Sequence, residues 1–182
     1  MLRATPNVNV FRPADATETI AAWYAAITSQ DTPTVLALTR QNLPQLAGSF
    51  KEALKGGYII SEAKGTPVGI LIATGSEVSL ALDAQEELAK EGIAVRVVSM
   101  PSLDVFEKQS EAYKENVLPK DIRARVAIEA GVDFGWGRYV GLDGTTVTMH
   151  HFGASAPADV LFKKFGFTKE HVILAMKEVL KK

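Results

Sequence analysis

Cysteine is absent from all 182 residues. Disulfides, thiolate metal sites and cysteine nucleophiles are therefore excluded on this chain. No run of about 18 apolar residues occurs, so no membrane-spanning helix is expected. The opening residues Met1-Leu2-Arg3-Ala4-Thr5-Pro6 lack the apolar stretch of a secretory signal, and a cytoplasmic protein is the expectation. An excess of charge is lacking too. With 20 basic and 21 acidic residues the net charge is −1, which gives no reason to expect nucleic acid or an anionic membrane as partner. No GxSxG, HExxH, Walker A or EF-hand pattern occurs, so hydrolase and nucleoside-triphosphate readings lack support. Apolar residues, by contrast, make up 47% of the chain, enough for a real core. The length suits one domain or one and a half.

Residues 8–11 read as a short strand. Asp15 offers a helix N-cap, with Glu18 three residues on as in a capping box. Ile20, Trp23, Tyr24 and Ile27 follow i, i+3, i+4, i+7 and predict one buried helical face. Residues 34–38 are apolar without alternation, as in a strand covered on both sides. Residues 5–40 thus read as a β-α-β unit, the building block of a parallel sheet. Residues 46–65 are charged and glycine-punctuated and read as a connection, with Gly57-Tyr58-Ile59-Ile60 pairing as an edge strand.

A second β-α-β unit begins at Val68. Residues 68–73 predict a buried strand, and Thr74 with Glu77 has capping-box spacing for the helix that follows. Val78, Ala81, Leu82, Leu88 and Ala89 supply its apolar face, and Gly92 ends it. Residues 93–98, 125–130 and 145–149 predict further strands, and residues 110–116 and 155–165 helices. Thr168 caps a last helix, whose Val172, Ile173, Met176, Val179 and Leu180 share a face.

Three segments invite functional readings and lose them on chemistry. Gly135-Trp136-Gly137-Arg138-Tyr139-Val140-Gly141 spaces its glycines GxGxxxG, one residue too long for a dinucleotide fingerprint. It reads as a glycine-rich turn, with Trp136 and Tyr139 packing at the domain edge. Thr74-Gly75-Ser76-Glu77 opens a helix after a buried strand and could hold an anion, but Glu77 already brings negative charge. His150 and His151 would point to opposite strand faces, and His171 stands alone, so structural roles are expected for all three.

One segment keeps its reading. The apolar run ending at Leu38 gives way to Thr39-Arg40-Gln41-Asn42-Leu43-Pro44. Ligands of open α/β sheets bind beyond the carboxyl ends of strands, and arginine is a fixed-charge, bidentate donor suited to phosphate or carboxylate.

That run resembles a signature of the transketolase family. Leu2-Arg3-Ala4-Thr5-Pro6-Asn7 and Val10-Phe11-Arg12-Pro13-Ala14-Asp15 resemble the preceding part of the same domain. Residues 131–141 and Phe152-Gly153-Ala154-Ser155-Ala156-Pro157 resemble the family's C-terminal domain. The resemblance covers residues 2–182. It implies an α/β fold: a three-layer C-terminal domain with a mostly parallel sheet, preceded by a partial β-α-β unit of a second α/β domain. Residues 1–50 would belong to the pyrimidine-binding (middle) domain, 51–67 to a linker and 68–182 to the C-terminal domain. It further implies that Arg40 binds the phosphate of a sugar phosphate in a homodimeric enzyme of the pentose phosphate pathway. That enzyme transfers a two-carbon ketol unit using thiamine diphosphate and magnesium or calcium. The family's cofactor contacts, metal ligands and most active-site histidines lie upstream of this segment. No catalytic, cofactor-binding or metal-binding residue is therefore assigned here, and the chain alone is expected to be inactive and to bind no cofactor. The alternatives are a non-catalytic assembly subunit of a split transketolase and the related β subunit of a 2-oxo acid dehydrogenase. The residue 40–44 and 152–157 runs fit transketolase better.

Overall fold

Short apolar runs separated by helices build two sheets. The computed structural model describes residues 2–182. Strands β1 (Asn9–Phe11) and β2 (Thr34–Leu36) pair in parallel and are joined by helix α1 (Ala16–Thr28), the β-α-β unit expected near the amino terminus. Asp15 caps α1, its Oδ1 accepting from the Glu18 amide at 2.9 Å. The reciprocal half of the capping box lands one residue earlier than expected, because Glu18 Oε2 accepts from the Ala14 amide at 2.7 Å.

The buried face of α1 is not the one its periodicity predicts. Ile20, Trp23, Tyr24 and Ile27 are all exposed, Ile27 to 78%. The opposite face, with Glu18, Ala21 and Ala22, is buried. It packs on a 3-10 turn at Lys51–Lys55 and, through Glu18, on the second sheet. An apolar stripe identifies a face that can be buried, whereas burial needs a facing layer. The small sheet offers only two three-residue strands. For the same reason β2 is half-buried along its length rather than covered on both sides.

The second sheet has strand order β3-β5-β4-β6-β7, with β3 (Tyr58–Ser61), β4 (Gly69–Ala73), β5 (Val95–Ser99), β6 (Arg125–Ile128) and β7 (Thr145–Val147). Only β3 runs antiparallel, and it forms the edge, as Gly57-Tyr58-Ile59-Ile60 suggested. β4 and β5 are buried throughout, as strands covered by helices on both faces must be. On one face α2 (Glu77–Lys90) and α7 (Lys169–Val179) pack over Leu71, Val97, Val126 and Ile128. On the other face α3 (Leu103–Glu107), α4 (Glu111–Val117) and α5 (Gly137–Val140) cover Ile70, Ile72, Val98 and Ala127. This is a three-layer α/β domain with a mostly parallel sheet. Gly92, at φ 77°, closes α2 in the left-handed conformation that favours glycine. α6 (Ala158–Lys164) starts later than expected, after Pro157 as its N-cap.

Among the described residues no helix is long and apolar enough to cross a membrane.

The two faces of α1 give a direct contrast. Ile27→Glu is expected to change unfolding free energy by no more than about 0.5 kcal/mol. Ala22→Glu, at a fully buried position, should cost more than about 3 kcal/mol, because a carboxylate is forced out of water. Urea denaturation of both variants checks this; equal losses would contradict the orientation of α1.

Candidate functional site

The chain leaves β4, forms β5 on one side, and crosses back to place β6 on the other. The carboxyl ends of β4 and β6 therefore flank a topological switch point, where open α/β sheets usually bind ligands. Here the position is filled from within. Arg12, just after β1, donates its backbone N–H to Pro101 O at 2.8 Å, and its carbonyl accepts from the Gly75 amide at 3.0 Å. Its guanidinium lies against Gly75 and reaches Glu77 and Glu129, each at 3.0 Å. Burial opposes the charge on Arg12, but the two carboxylates outweigh it and raise the pKa above its ordinary value.

Both acidic partners are buried and further bonded. Glu77 Oε2 accepts from the Ala130 amide at 2.9 Å. Glu129 Oε2 accepts from Arg3 Nη1 and from Trp136 Nε1, both at 2.6 Å. Thr74 is not the cap expected of it: its hydroxyl turns to the Arg12 carbonyl at 3.3 Å, and α2 starts at Ser76 without a side-chain cap. The anion reading of residues 74–77 is thus answered by Glu77, held by the chain's own arginine. The segment read as a glycine-rich turn contains the single-turn helix α5. Trp136 does not sit at an edge there; it is fully buried in the core.

A second buried carboxyl ties α1 to the large sheet. Glu18 Oε1 accepts from Tyr58 Oη at 2.9 Å and Ser99 Oγ at 2.5 Å. No cation pairs with it among the described residues. Burial pushes its carboxyl above the usual carboxylate range, and the donors Ser99, Ala14 and Tyr58 do not cancel that effect.

Arg40 stands beyond the carboxyl end of β2, on an exposed loop, and enters no ion pair among the described residues. The neighbouring Thr39 hydroxyl bonds to Gln41 Oε1. A cleft of about 260 Å³ opens between this loop and the start of α2, lined by Arg12, Leu38, Thr39, Gln41, Ser76 and Phe162. A larger cleft of about 850 Å³ lies between residues 3–9, α3 and residues 134–139. Its charged groups already have partners: Lys108 donates to Asn9 Oδ1 at 3.0 Å, and Glu107 takes Arg138 at 3.3 Å and Tyr139 Oη at 2.7 Å. The smaller cleft is the better placed of the two because it borders the loop beyond the carboxyl end of β2, although its one charged lining residue, Arg12, is itself already paired.

His150 and His151 lie past the end of β7 rather than on a strand. His151 packs its ring on Phe165, and His171 Nδ1 is 2.8 Å from Gly166 O. Among the described residues no group of three or more His, Cys, Asp or Glu side chains could hold a metal. Sequence reasoning missed Arg12, Glu77 and Glu129 as a unit. The available signal was an arginine and two glutamates each directly following an apolar strand or its turn, which is unusual for residues meant for solvent.

Two outcomes follow. Arg12→Ala leaves two carboxylates buried together without their shared cation and should cost about 3–5 kcal/mol, read as a lower urea midpoint. For Glu18, a raised folded pKa means that the folded state holds the proton more tightly than the unfolded chain. Its contribution to stability is complete below the unfolded carboxylate range and is lost as pH rises through the folded pKa. Urea midpoints from about pH 5 to about pH 9 should fall for the wild type relative to Glu18→Gln, which cannot ionise; parallel profiles would refute the assignment.

The transketolase-like C-terminal domain model matches residues 56–168, and the transketolase pyrimidine-binding domain model residues 1–45. The transketolase of Bacillus subtilis (strain 168) is 52% identical over 186 residues, covering 100% of this chain and 28% of that protein. The transketolase of Streptococcus pyogenes serotype M6 is 58% identical over 171 residues, covering 92% of this chain and 24% of that protein. The chain thus spans about a quarter of the length of these curated relatives. The solved transketolase of Pichia stipitis in complex with sedoheptulose 7-phosphate superposes with a TM-score of 0.90 at 49% identity, over 97% of this chain and 26% of that one. A split-gene transketolase, an inactive β4 tetramer, superposes with a TM-score of 0.76 at 26% identity, over 99% of this chain and 60% of that one. Both domain models, the level of identity and the superposed fold agree: the chain belongs to the transketolase family.

Proposed function

We propose that this chain is the C-terminal part of a thiamine diphosphate-dependent transketolase that moves a two-carbon ketol unit between sugar phosphates of the pentose phosphate pathway. Arg40 is its substrate-phosphate contact. The observation that carries this reading is the position of Arg40: exposed, unpaired among the described residues, and just past the carboxyl end of a parallel strand. Similarity along the chain to complete transketolases, one of them solved with a sugar phosphate, supports it. In this reading residues 1–50 belong to the pyrimidine-binding domain, 68–182 form the C-terminal domain of a cytoplasmic homodimer, and 51–67 connect the two while lending the C-terminal domain's sheet its edge strand β3.

Thiamine diphosphate carries the carbanion chemistry when bound to the complete enzyme. This chain's described residues do not fit the cofactor's divalent metal, since they bring no set of three acidic or imidazole ligands together. No step is routed through that metal on this chain. Arg40 grips a group remote from the reacting carbons, and a contact of that kind orients the sugar and raises its effective affinity.

A second reading, an assembly subunit of a split transketolase, draws support from the split-gene neighbour. The single-chain relatives are closer in identity, so the first reading is preferred.

The pure chain should give only background with xylulose 5-phosphate, ribose 5-phosphate, thiamine diphosphate and magnesium; turnover would overturn its assignment as a non-catalytic part. To test Arg40, the chain can replace the matching segment of the Bacillus subtilis enzyme, to which it is 52% identical. A charge-assisted hydrogen bond to phosphate contributes about 1.5–3 kcal/mol. Arg40→Ala should therefore raise KM for phosphorylated sugars roughly ten- to a hundredfold. Arg40→Lys should recover part of this, keeping the charge and losing the fork. Hydroxypyruvate, which has no phosphate, should react as before. Equal losses with both substrate types would make Arg40 structural.

A further inference from the structure

The loop that carries Arg40 has few bonds of its own. Its start is held where the Ala37 amide donates to Phe11 O at 2.8 Å. Its end is held by Asp15, whose Oδ2 accepts from the Leu46 amide at 3.1 Å and from Gln45 Nε2 at 2.7 Å. Asp15 Oδ1 accepts from Ser49 Oγ at 2.9 Å as well as from the Glu18 amide. Phe11 and Asp15 belong to one short stretch, braced through Arg12 against the large sheet. The loop is thus a strap with both ends fastened to the same support.

Asp15 is nearly inaccessible, at 5% exposure, and it forms no ion pair among the described residues. Four donors surround it instead. That number matches the lone-pair sites of an ionised carboxylate and exceeds what one amide oxygen offers. A helix N-cap needs only one of these bonds, and asparagine caps as well as aspartate. The other three serve residues 45–49.

We propose that Asp15 is a positioning residue for phosphate recognition: by fastening the end of the residue 38–44 loop it sets where the Arg40 guanidinium stands. The inference rests on the phosphate reading of Arg40. It separates two tasks of one carboxylate, capping α1 and tying down the loop, and Asp15→Asn separates them experimentally. The asparagine oxygen can keep the Glu18 amide, leaving its NH₂ group against the Leu46 amide and Gln45 Nε2, donor against donor. The cap survives and the strap is released.

The test is a double-mutant cycle in the Bacillus subtilis enzyme carrying this segment. Asp15→Asn should raise KM for xylulose 5-phosphate by roughly tenfold or more, since a small displacement of a binding group is costly. Activity with hydroxypyruvate should stay within about twofold, as for a contact that touches only the phosphate. Asp15→Asn combined with Arg40→Ala should be no worse than Arg40→Ala alone, because the two act through one contact. Gln45→Ala, which removes one strap donor and leaves the cap, should move KM in the same direction by less. Equal losses on both substrates, or losses that add to those of Arg40→Ala, would overturn the positioning role. If Arg40→Ala separates the two substrates and Asp15→Asn does not, this inference alone fails. If Arg40→Ala does not separate them, the phosphate reading fails and takes the inference with it. Hydrogen exchange on the chain itself reports the strap directly: the Leu46 amide should exchange at least about tenfold faster in Asp15→Asn while β4 is unchanged, and equal exchange would show that Asp15 fastens nothing.

Discussion

The structure depends on one guanidinium. Arg12 connects β1 and α1 to the large sheet through its backbone at Gly75, just past β4, and at Pro101, and through its side chain at Glu77 and Glu129. Neither carboxylate could be buried at this sheet end without a cation beside it. Two carboxylates at one sheet end would repel, and an arginine there alone would lack hydration. Arg3 and Trp136 complete the donors around Glu129, so that both of its oxygens are occupied. A crevice that elsewhere in α/β proteins receives a ligand becomes here the seat of an internal joint.

Around this joint the chain handles buried acids in two chemically different ways. Glu77 and Glu129 meet cations. Glu18 and Asp15 meet only neutral donors, from the backbone, hydroxyls and an amide. The ion pairs hold the two sheets together. The neutral clusters set the pose of α1 and of the segments beside it, one against β3 and β5, the other against residues 45–49. A loop resting on such a base is held more rigidly, and a rigid donor loses less freedom when a ligand arrives.

Much of the fold was legible in the sequence, and the physical reason is local. A strand buried on both faces, such as β4, is written as an uninterrupted apolar run, and the end of α2 is written as a glycine. The positions of Asp15 and Thr168 announced caps that the structure uses. Arg40 stood out as a polar break after an apolar run, and it lies past the end of β2. What could not be read is pairing at a distance. Nothing in the sequence says that Arg12 will meet Glu129, 117 positions away. Nor does the stripe on α1 say whether a layer faces it. Thr74 misled because capping-box spacing is only a local permission, and the Arg12 carbonyl offered its hydroxyl another partner.

The placement of the two tryptophans makes each end of this arrangement visible to light. Trp23 lies on the open side of α1, 54% exposed, whereas Trp136 is sealed with its indole N–H on Glu129. One indole sits in water and the other in a dry, charged pocket, so their emission separates by wavelength and by access to a dissolved quencher. Loosening of the joint at Arg12 would reach the inner indole without disturbing the outer one. The chain therefore contains its own optical gauge of whether its two sheets remain fastened.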